Sequence, residues 1–153
     1  MKTAIITALL IVFFSLTSAA QSDDGWFTTK IDFGTSYKSG FCTEHIKASH
    51  LYNIENHFSI GTMVGLYFGD LKLIPISSCL RIRPLGKKRF MPAIFATGGY
   101  GADVSGNKNG GGLFSTSLGI ETGFLRRFNY NLTFGTEWFR KECMFSVSCG
   151  IHF

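Results

Sequence analysis

Charged side chains are scarce in this sequence, at 16% of its residues against roughly 25% in an ordinary soluble domain. Proline is rarer, with 3 in 153 residues, and Glu, Lys and Leu do not dominate, which excludes a coiled coil. Past residue 20 every apolar stretch meets Lys, Arg, Asp, Glu or Gly within a few positions. That leaves no run of about 20 apolar residues for a membrane helix. A chain of this kind can enter a bilayer only as strands closed on themselves. No cluster of His, Cys, Asp and Glu has metal-ligand spacing, so no metal or other cofactor is expected. Nor is there a repeat or a linker. The apolar content, with 16 Phe and 18 Gly, excludes disorder and points to one compact, β-rich domain.

The N-terminus reads as an address. Lys2 precedes an apolar run from Ala4 to Leu16, and the small residues Thr17, Ser18, Ala19 and Ala20 follow. Ser18 and Ala20 satisfy the small-x-small rule of a signal peptidase, so residues 1–20 are expected to be a cleaved leader and 21–153 the mature domain. The apolar run is too short for a spanning helix. Losing Lys2 takes the net charge from +5 to +4, too little to suggest a nucleic-acid partner.

After residue 25 the dominant signal is period-2 alternation. Over 57–69, Phe58, Ile60, Thr62, Val64, Leu66 and Phe68 share one face, opposite His57, Ser59, Gly61, Met63, Gly65, Tyr67 and Gly69. Comparable alternation runs over 27–37, 112–124, 129–139 and 143–153, and more loosely over 41–52, 71–83 and 90–100, with Glu44 on a nominally apolar face. Turn-like breaks separate the runs, and Gly101 to Gly111 reads as the one long loop. Eight strands in one antiparallel domain are expected.

Eight such strands make either a soluble barrel with an apolar interior or a transmembrane barrel with an apolar exterior. The second is favoured. Lys30, Asp32, Lys47, Arg81, Arg83, Glu121 and Glu137 all fall on the polar face, interspersed with glycines. Glycine weakens a water-facing strand, whereas inside a narrow barrel it relieves crowding. On the apolar face Tyr37, Tyr52, Phe58, Phe68, Phe90, Tyr100, Phe124, Tyr130, Trp138 and Phe153 lie at or near strand ends, as the aromatic girdles of outer-membrane barrels do. The expected fold is therefore all-β: an eight-stranded antiparallel up-and-down transmembrane β-barrel. With both termini periplasmic, the turns at 53–56, 84–89 and 125–128 face the periplasm and the other links face outward. Lys87-Lys88-Arg89 and Arg126-Arg127 would then meet inner-leaflet headgroups.

An eight-stranded barrel has room only for its own side chains. Arg81 and Arg83 are expected to pair with Glu121 or Glu137, and Lys30 or Lys47 with Asp32, as a polar plug. Cys143 and Cys149 lie six positions apart on one face, roughly 20 Å at about 3.3 Å per residue. That is too far for a disulfide, and none is expected among the four cysteines. His45, Ser49 and His50 alone hint at nucleophilic catalysis. Ser49 lies roughly 13 Å along the strand from His45, and His50 faces the other way, so neither reaches it. No catalytic residue is expected.

The chain ends on Phe153, which shares parity with Cys143, Phe145, Val147, Cys149 and Ile151. That ending resembles the C-terminal signature of bacterial outer-membrane barrels, in which a terminal aromatic is read by the barrel-assembly machinery. The segment Ile54 to Phe68, the strand after it, the basic turn at 84–89 and the strand Phe90 to Tyr100 resemble the small outer-membrane barrels of Bacteroidota, of the broad OmpX/OmpW/opacity-like group. The resemblance spans 26–153. It implies residence in the outer membrane, with membrane lipids, the assembly machinery and a larger outer-membrane complex as candidate partners. The function expected is a non-catalytic role in the envelope or in surface contacts. A lipid-modifying enzyme of the same fold and a secreted lipocalin-like carrier are the alternatives.

Overall fold

The computed structural model describes residues 26–85, 90–104, 110–123 and 129–153. The expected leader, the basic clusters at 87–89 and 126–127, and Phe124 lie outside the described residues. Eight strands follow one another: β1 Phe27–Lys38, β2 Phe41–Asn53, β3 Phe58–Gly69, β4 Leu73–Ile82, β5 Phe90–Asp103, β6 Gly111–Gly123, β7 Asn129–Phe139 and β8 Glu142–His152. Each pairs antiparallel with the next, and β8 returns to β1 to close the barrel. Closure leaves no open edge. No helix among the described residues is long and apolar enough to cross a membrane.

The alternation resolves in one direction. Phe58, Leu66 and Phe134 stand on the exterior, as do Ile76 and Leu118, which are 67% and 65% exposed. Arg81 and Glu121 are both 0% exposed in the interior. A water-soluble barrel would reverse that distribution. The aromatic ends form two rings. Tyr37, Phe68, Tyr100 and Trp138 lie at one end, and Tyr52, Phe58, Phe90 and Tyr130 at the other, all exposed. Glu44 faces outward near one rim, as the parity of β2 requires.

Two local features shape the wall. Pro75 has no N–H to give, and the β3–β4 ladder is interrupted between its Val64–Ile76 and Tyr67–Leu73 pairs, opposite that proline. The expected long loop at 101–111 is shorter than its glycine content suggested, because β5 runs to Asp103 and β6 begins at Gly111. Gly101 and Gly111 are cross-strand partners. A Cβ at Gly101 would come within 3.1 Å of the Phe139 ring and 3.2 Å of Leu73. These glycines belong to the sheet and make room for interior side chains.

The interior holds an apolar cluster at the end away from the termini: Tyr67, Leu73, Leu113, Phe139 and Met144, with Phe41 and Leu71 packed against it. Leu51, Met63 and Cys79 form a smaller one nearer the middle.

Candidate functional site

The lumen is built from inward positions of all eight strands, and its charges sort into three tiers. At the end of the barrel that carries the chain termini, Glu121 gathers two arginines. Arg83 Nε donates to it at 2.6 Å and Arg81 Nη1 at 3.4 Å. Arg81 also donates to Asn53 Oδ1 at 2.7 Å and to Ser59 Oγ at 2.9 Å. The ring of His152 is fully buried, with Nδ1 3.6 Å from Glu121. In the middle Lys30 meets Asp32 at 3.1 Å, and its ammonium sits 3.7 Å from the centre of the Phe95 ring. Asn131 donates to the same carboxylate at 2.8 Å. Toward the end away from the termini Lys47 pairs with Glu137, which also accepts from Ser36 at 2.7 Å and from Tyr67 at 2.9 Å. His45 stands beside Ser36, its Nδ1 3.3 Å from the hydroxyl.

All seven charges singled out from the sequence therefore meet in the lumen. Glu121 takes both arginines and Glu137 takes Lys47, so Glu137 pairs with neither arginine and Lys47 does not reach Asp32. Four cations face three carboxylates, and Asn53, Ser59 and the Phe95 ring make up the difference with neutral acceptors and a cation–π contact. Buried charges need such partners, since an unpaired one is costly.

Sequence reasoning missed the apolar cap. Tyr67 and Met144 are bulky residues on the polar parity, and they were its only visible signal; Phe139 and Leu113 sit at strand ends where alternation is hard to read. Between the middle and outer tiers lies a cavity of about 50 Å³ edged by Ser49, Thr97, Ser115 and Ser117. It can hold a few waters and is too small for a solute.

The residues that hinted at catalysis are kept apart. Ser49 and His45 face the lumen, whereas His50 is on the outward side, stacked on Phe27 at 5.1 Å between ring centres and beside Thr29 Oγ1 at 3.2 Å. Among the described residues the serine hydrogen-bonded to a histidine is Ser36. Its hydroxyl proton is directed to Glu137, and it is 0% exposed. The four cysteines are free; Cys42, Cys143 and Cys149 are exposed and Cys79 is buried. Phe153 continues the β1–β8 seam, exchanging backbone hydrogen bonds of 2.9 and 3.0 Å with Thr29.

No family model matches the chain, and no curated protein matches it. Solved structures do. Neisserial surface protein A aligns over 82% of this chain and 94% of its own, with a TM-score of 0.63 and 10% identity. The N-terminal β-barrel domain of Pseudomonas aeruginosa OprF aligns over 82% and 97%, with a TM-score of 0.60 and 10% identity. A de novo designed transmembrane β-barrel aligns over 86% and 97%, with a TM-score of 0.57 and 10% identity. At that identity the likeness is one of fold: the chain is a closed eight-stranded barrel of the outer-membrane type.

Proposed function

We propose that this protein is an exported, integral outer-membrane barrel with a closed lumen, which contributes to envelope integrity or surface contacts and carries out no chemistry. The observation that carries this reading is the inversion of the barrel: a continuous apolar wall with two aromatic rings outside, and three partnered ionic tiers inside. An apolar exterior of this size is stable only in lipid. Beneath the apolar cap the described residues enclose neither a ligand-sized chamber nor an accessible nucleophile, which speaks against the carrier and the lipid-modifying enzyme.

The finer assignments belong to the same proposal. Residues 1–20 direct export and are removed. Phe153 is the aromatic read by the barrel-assembly machinery. The kinship is with the small Bacteroidota barrels of the OmpX/OmpW/opacity-like group. The partners are outer-membrane lipids and a larger outer-membrane complex, not nucleic acid.

Fractionation with heat-modifiable gel migration tests the location. The protein should pellet with outer membranes, need detergent for release, and shift in mobility only after boiling. Recovery as a soluble, heat-insensitive species would overturn it. Comparing lipid masses of envelopes with and without the gene tests the absence of chemistry, because altered acyl chains would identify an enzyme.

A further inference from the structure

Above the apolar cap the barrel opens into a cup of about 750 Å³, within the usual size of a small-molecule site. Phe41, Leu71, Phe139 and Met144 form its floor, and charged residues of both signs form its wall. Most of those charges are already engaged. Lys38 pairs with Glu142, and Asp70 accepts the backbone N–H of Cys42 at 2.9 Å. Arg140 is held only loosely, with Nη2 3.9 Å from Asp103, beyond hydrogen-bond reach. Lys72 is exposed and, among the described residues, meets no carboxylate within ion-pair distance. The two cations with capacity to spare lie on the same side of the cup: the backbone of Lys72 bonds to Val104 at 2.9 Å, one residue from Asp103.

Arg140 carries a second signal. Its φ is +57°, the one non-glycine residue with positive φ among those described. A β-hairpin ordinarily fills such a position with glycine. A side chain kept there against backbone strain invites a functional reason. The guanidinium lies over the Phe139 ring at 5.0 Å, so cation and apolar floor are adjacent.

We infer that this outward cup is a binding site for a small anionic amphiphile, an aromatic or short-alkyl body bearing a sulfonate, carboxylate or phosphate. The body rests on Phe41, Leu71 and the Phe139 edge, and the anion meets Lys72 and Arg140. This goes beyond the closed-lumen reading, because the ligand stays above the cap and nothing crosses the barrel.

The test is equilibrium dialysis of 2-naphthalenesulfonate against the full-length protein in phosphatidylcholine nanodiscs, with protein-free nanodiscs as the blank. Saturable binding at one site per barrel is expected. Lys72→Gln and Arg140→Gln should each weaken it about tenfold, as loss of a charged hydrogen-bond partner does. Lys141→Gln, which removes a neighbouring cation outside the cup, should leave it unchanged. Uncharged 2-naphthalenemethanol should bind at least tenfold more weakly than the sulfonate. Lys72 and Arg140 are surface residues, and unchanged heat-modifiable migration will show that their variants fold. Absence of saturable binding, equal binding of the alcohol, or wild-type affinity in the Lys72→Gln/Arg140→Gln double variant would overturn the assignment.

Discussion

Replacing Glu121 with Gln is the sharpest perturbation of the lumen. The carboxylate is fully buried and takes both Arg83, at 2.6 Å, and Arg81, at 3.4 Å. With a neutral amide in its place the two buried guanidiniums lose their shared counter-charge, and Arg81 is left with the neutral acceptors Asn53 and Ser59. Removing one partner of a buried ion pair costs about 3–5 kcal/mol. That is roughly two to three and a half decades in the folding equilibrium, at about 1.4 kcal/mol per decade. Reversible urea unfolding in detergent micelles or lipid vesicles, followed by gel mobility, reads the change. The ordering of variants matters as much as the size. Arg83→Gln leaves the Arg81–Glu121 contact in place and should cost less than Glu121→Gln. Lys38→Gln removes an exposed pair and should cost no more than about 1 kcal/mol. If Glu121→Gln unfolds within about 1 kcal/mol of the wild type, the Glu121 tier is not a partnered buried cluster and the reasoning fails.

Three further outcomes follow from the same geometry. Phe139→Ala empties part of the outer cap and should destabilise the barrel by about 3–5 kcal/mol in the same unfolding assay, and a cost below 1 kcal/mol would show that the cap is not packed. Gly101→Val pushes a side chain toward Phe139 and Leu73 and should cost about 1–3 kcal/mol, whereas Gly40→Ala, in open space at φ +76°, should suffer only backbone strain. In planar-bilayer recordings the wild type should show no large, stable conductance, and Glu137→Ala, which releases Lys47, Ser36 and Tyr67 together, should raise the frequency of brief openings.

Much of this architecture is legible in the chain. The strand positions follow from alternation, because a pleat alternates its side chains and a membrane barrel buries one set while lipid covers the other. The seven lumen charges follow from the same parity. The choice of partner does not. Glu121 and Glu137 lie on neighbouring antiparallel strands and both point inward, and whether an arginine from β4 reaches one or the other depends on the stagger of the closed barrel. The glycine-rich stretch at 101–111 misleads for a physical reason: glycine marks both a flexible loop and a strand under a crowded ring, and Phe139, which makes the second case true here, is far away in sequence. The apolar cap is hidden likewise, since Leu73, Leu113 and Phe139 lie at strand ends and converge only when the barrel closes.

The central claim is that greasy side chains face lipid while their neighbours on the same strand face a sealed ionic core. Single tryptophans placed along β7 from 130 to 136, in a Trp26→Phe/Trp138→Phe background reconstituted with bromine-labelled phospholipid, test it most directly. Strong quenching at 130, 132, 134 and 136, with little at 131, 133 and 135, is the expected result. Uniform quenching, or the opposite alternation, would contradict the account.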